Sequence, residues 1–126
     1  MRYIILITFL STLYACNVQH IENYNSDFEG KWETAVYNSS TTAGKAQNYI
    51  IIDGENSGLG IACTPNCELC DCTIFKSGRA KINTSNNGLQ IGGTVDQIMI
   101  IEQEPFINEN NEWEMVVENM RYFKYQ

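Results

Sequence analysis

The sequence predicts an all-β chain, a small antiparallel up-and-down barrel of about eight strands. From Gly30 onward apolar and polar side chains alternate with period two, the spacing of a half-buried strand. Clusters of Asn, Gly and Ser interrupt this alternation every 8–12 residues or so, as turns do in sandwiches and barrels. No stretch keeps apolar residues at i, i+3, i+4 and i+7 through successive helical turns. The 126 residues are 44% apolar and 11% aromatic, which suits one globular domain and not a disordered chain.

The first element is an address label. Met1-Arg2 gives a short basic start, and Tyr3–Leu13 is mostly apolar. Spanning a bilayer takes a helix of about 20 residues, so this run fits a signal-peptide core instead. Residues 1–15 are read as a leader that is removed, 16–29 as a flexible polar tether containing His20, and 30–126 as the barrel domain. An ordinary secretory cut after Ala15 is the simpler rival, with Cys16 left as a plain thiol.

Strands follow in order. Lys31–Val36 alternates around Trp32; Gln47–Asp53 is an apolar run ending in the turn residues Asp53–Gly58; Leu59–Cys63 resumes. Arg79–Asn83 alternates and turns through Thr84–Gly88 into Leu89–Ile91, and Val95–Ile101, Glu112–Val117 and Met120–Tyr125 complete the set. Glu118-Asn119 reads as a two-residue hairpin turn, with one long bulged strand as the competitor. The expected inward set is Trp32, Val36, Tyr49, Ile51, Ile82, Ile91, Met99, Trp113 and Met115, the last eight also lining any ligand space. These are mostly large, which favours a filled or shallow interior.

Cys63, Cys67, Cys70 and Cys72 place four thiols in ten residues. In an exported chain they read first as two disulfides, with three pairings open. A thiolate metal site is the rival, although structural zinc usually draws Cys pairs from separated loops. A redox role for Cys67-x-x-Cys70 lacks a βαβ setting, and Glu68 and Asp71 raise thiol pKa values rather than lower them.

Composition also excludes classes. The net charge is −7 without a Lys/Arg cluster, which argues against nucleic acid and leaves room for a basic protein partner. A single His, no Ser/His/Asp set and no phosphate-cradling glycine loop point away from an enzyme, and no cofactor or resident metal is expected. Glu102 and Glu104 share a strand face but read as a solvated acidic surface, and Asn108–Glu112 as a turn rather than a calcium loop.

Two resemblances complete the reading. Leu13-Tyr14-Ala15-Cys16 resembles the bacterial lipoprotein box, which implies a diacylglycerol thioether and an acylated (palmitate-type) amine on Cys16. Asn17-Val18-Gln19-His20 carries no acidic sorting signal, which implies an outer-membrane anchor facing the periplasm. Gly30-Lys31-Trp32 resembles the Gly-x-Trp signature of lipocalins, and Arg121 would correspond to the Arg that packs across that Trp. Together the features are similar to small lipocalin-like lipoproteins of Bacteroidetes. That likeness implies a monomeric, lipid-anchored module for a small apolar ligand, or else an envelope protein with a filled barrel that binds proteins. Lipoproteins that inhibit lysozyme carry Ser-Gly-x-x-Tyr; Ser77-Gly78-Arg79-Ala80-Lys81 has no Tyr, so inhibition is not implied.

Overall fold

The computed structural model describes residues 17–38, 45–63, 74–93 and 98–125. Within them the chain forms β1 (Val18–His20), a one-turn helix α1 (Ile21–Tyr24), a 3-10 turn at Ser26–Phe28, and β2 (Gly30–Glu33). Next come β3 (Tyr37–Asn38), β4 (Lys45–Ile52), β5 (Gly58–Cys63), β6 (Ile74–Ser77), β7 (Ala80–Asn83) and β8 (Gly88–Ile91). The C-terminal meander is β9 (Met99–Ile107), β10 (Trp113–Val117) and β11 (Met120–Lys124).

All ladders are antiparallel, in the order β1-β7-β8-β9-β10-β11-β2-β4-β5-β6, with β3 on β4. The all-β expectation therefore holds, but closure into an eight-stranded barrel is corrected: the sheet is open, with β1 and β6 at its edges. The reason lies at Gly78, whose φ of +132° bends the chain between β6 and β7. A Cβ there would meet the Gly92 Cα at 2.9 Å, so only glycine allows this approach. Strand β6 then pairs with β5, while β7 pairs with β8 and offers its other edge to β1.

That edge is covered by residues expected to be a tether. Ile21 and Phe28 are fully buried, so 17–29 is built into the domain. Their burial fixes α1 and the 3-10 turn where helix propensity is too short-ranged to do so. Phe28 also supplies the carbonyl that accepts the buried Trp32 indole N–H at 2.7 Å.

The core is one cluster. Trp32, Ile50, Ile52, Ile82, Leu89, Ile91, Met115 and Val117 are all within 1% of full burial, and Met99 and Trp113 pack against them half-buried. Three expected inward residues are corrected. Trp32 pairs opposite Ile50, so Ile50 and Ile52 share its face and Tyr49 and Ile51 take the other, half-buried one. Three consecutive Ile hide that phase in the sequence. Val36 lies past the end of β2 and is 50% exposed.

Glu118-Asn119 is the hairpin: Val117 pairs with Met120, and both turn residues are left-handed at φ 51° and 60°. The irregularity sits in β9 and β10 instead, where Glu114 pairs with Phe106 but Val116 with Gln103. Pro105, which has no N–H to donate, falls at that bulge, so β9 runs on to Ile107.

Candidate functional site

Among the described residues large side chains fill the core, and open clefts lie on the outer surface. One of about 380 Å³ runs between the Thr34–Tyr37 link and the β10–β11 hairpin, lined by Val36, Tyr37, Met120, Arg121 and Phe123 among others. Its walls are fixed by Asn48. The Asn48 N–H donates to Thr34 Oγ1 at 3.0 Å, its side-chain oxygen accepts from the Tyr37 hydroxyl at 2.6 Å, and its amide lies 3.3 Å from the Met120 sulfur. The Thr34 N–H returns a bond to the Asn48 carbonyl at 3.0 Å. The link is therefore held rigid while Val36 is left open to water.

Arg121 forms the ridge between this cleft and a second of about 320 Å³ beside Phe106, Ile107 and Asn108. Its guanidinium makes a two-point contact with Glu114, Nε to Oε1 at 2.6 Å and a terminal nitrogen to Oε2 at 2.9 Å. The Asn108 amide donates to the same Oε2 at 2.9 Å. Arg121 beside it holds the Glu114 carboxyl below its ordinary range, with the Asn108 bond helping and burial opposing. The Glu114 side chain is 5% exposed and that of Arg121 65%, so the pair is a sunken anion under an exposed cation. The Arg121 carbon also lies 5.3 Å from the Phe123 ring centre.

The expected stacking of Arg121 on Trp32 is thereby corrected. Alternation along β11 sends Arg121 and Phe123 outward and Tyr122 and Lys124 inward. Lys124 pairs opposite Trp32, and its ammonium lies 4.8 Å from the Trp32 ring and 4.9 Å from the Trp113 ring. It donates to the Asp27 carbonyl at 2.8 Å, and burial pushes its pKa down. The cation of the Gly30-Lys31-Trp32 region is thus a lysine.

The remaining candidates separate. Glu102 accepts the Asn119 N–H at 3.1 Å, and Glu104 accepts the Tyr24 hydroxyl at 3.0 Å, a bond that raises the Tyr24 pKa. Each acid is thus tied to its own structural bond. In the Asn108–Glu112 turn the Asn108 side-chain oxygen accepts from the N–H of Asn110 and of Glu112. No cluster of three His, Cys, Asp or Glu side chains able to hold a metal occurs among the described residues. Cys16, Cys67, Cys70 and Cys72 lie outside the described residues; Cys63 ends β5 opposite Ala46. His20 sits in β1 opposite Lys81. Sequence reasoning missed Asn48 and Glu114, and only the charge of Glu114 amid an apolar alternation (EWEMVV) signalled the latter.

Fold and site define an antiparallel β domain with a packed interior and a grooved outer face. No protein-family model, curated protein or solved structure matches the chain. No helix among the described residues is long and apolar enough to cross a membrane.

Proposed function

We propose that this chain is a lipid-anchored, non-catalytic envelope protein that binds a basic protein partner through the outer cleft at Val36, Met120 and Phe123. One observation carries the choice between a ligand-holding and a protein-binding module. The largest apolar residues fill the interior, whereas the apolar cleft lies outside with Val36 half exposed. A small-molecule site encloses most of its ligand, while a shallow open cleft suits the side chains of a protein surface. The net charge of −7 supports a basic partner by electrostatic steering. Anchoring rests on the apolar run before Ala15-Cys16, and the likeness to lipocalins on Gly30-Lys31-Trp32 with a cation over its ring.

The test is photo-cross-linking in the source cell from p-benzoylphenylalanine at position 36. The expected result is a peptide adduct from one basic protein, weakened by raised salt. An adduct of lipid or another small apolar molecule supports the ligand-holding reading and overturns this one. Palmitate labelling that persists in a Cys16→Ser variant overturns the anchor.

A further inference from the structure

We propose that the outer face of β1, β7, β8 and the start of β9 is a membrane-contacting surface that lies against the bilayer holding Cys16; this rests on the acylation reading above. Asn17 follows Cys16 directly, and its carbonyl accepts from the Thr84 N–H at 2.8 Å and from the Thr84 hydroxyl at 3.3 Å. The domain is therefore fastened one residue after the anchored position, and one Cα-to-Cα step is about 3.8 Å. A body held that close has no slack with which to stand off from the lipid.

The face it would present begins at the same point. Val18 pairs with Asn83, Asn83 with Gly88 and Gly88 with Ile100, so these four form one row across the sheet. Val18 and Ile100 are each 41% exposed, and Ile98 40%. The Ile98 Cγ2 lies 2.5 Å from where a Gly88 Cβ would stand, so the absent side chain lets Ile98 lean across the row. A groove of about 180 Å³ follows it. Next to this row Lys81, opposite His20, puts an ammonium at headgroup depth beside aliphatic carbon. The bordering acids are tied down: Glu118 accepts the Ile100 N–H at 2.7 Å, and Glu102 accepts the Asn119 N–H. Exposed aliphatic side chains next to a covalent lipid anchor lose water contact by lying on the bilayer, and each adds to the hold of the acyl chains.

The test uses full-length acylated protein in phosphatidylcholine vesicles brominated along the acyl chains. Ile100→Trp and Ile98→Trp place a reporter in the row. Ile107→Trp places one seven residues along β9, about 23 Å away at ordinary strand rise. The row positions are expected to lose at least half of their added emission to bromine, and position 107 none beyond the parent chain. Equal quenching at 100 and 107 overturns the inference. So does absence of quenching at both row positions in protein whose mass includes the acyl groups, including the case where a second copy shields them. Protein whose mass lacks acyl groups overturns the anchoring reading itself, which separates the two failures.

Discussion

The two faces of β11 use the same chemistry for opposite ends. Inward, Lys124 lies between Trp32 and Trp113, with its ammonium partly stripped of water and donating to a backbone carbonyl. Outward, Arg121 lies over Phe123 and grips the sunken Glu114. Both are cations on aromatic rings. The inner one is part of the packing, and its pKa falls because burial opposes charge. The outer one stays in water and draws its order from a carboxylate. One step of strand parity thus decides whether a cation becomes fold or surface.

The largest expected effect breaks the inner side. Trp32→Ala removes the largest fully buried side chain and orphans the Phe28 carbonyl, and is expected to destabilise by about 3–5 kcal/mol in urea unfolding. Next, Lys124→Ala uncovers both indoles and is expected to cost about 1–2 kcal/mol, whereas Arg121→Lys leaves the inner face untouched.

The outer side is broken by acid. The Glu114 carboxyl titrates lower in the folded chain than its ordinary value of 4.5, so between those points the unfolded chain binds the extra proton. Its contribution is present above about pH 4.5 and is lost as pH falls through the folded value. Urea midpoints measured from pH 6 to 3 are expected to decline less in Glu114→Gln than in the parent. The smallest effect sharpens the hairpin that joins the faces. Asn119→Gly relieves a left-handed residue at φ 60° and is expected to add less than about 1 kcal/mol, seen as a small rise in midpoint.

Legibility in the sequence followed the same parity. Period-two alternation carries the β class, Asn-Gly chemistry the Thr84–Gly88 turn, and the tolerance of Asn for a left-handed backbone the Glu118-Asn119 turn. Where three consecutive Ile break the alternation, the phase of β4 is ambiguous, and the face of Tyr49 and Ile51 is decided only by the pairing of Trp32 with Ile50. The 17–29 segment meets the core through Ile21, Tyr24 and Phe28, three residues set among polar ones and too short a run to stand out as periodic. Yet Ile21 and Phe28 are fully buried. The motif points to Arg121, whereas strand parity counted from Tyr122 along β11 puts Lys124 on the face of Trp32. Glu114 and Asn108 meet across the end of the β9–β10 hairpin, where the register depends on a five-residue turn whose length the spacing alone does not set.

The bond between Asn17 and Thr84 joins residues 67 apart in the chain, while the β10–β11 pairing needs only a two-residue connection. Ring closure over so long a span is entropically slow compared with a local hairpin. The C-terminal meander can therefore nucleate by itself, ahead of the long-range closures of β1 on β7 and of β2 on β11. Until β7 exists, Val18–His20 have no partner strand, so the amino-terminal edge of the sheet is completed only after that distant segment is in place.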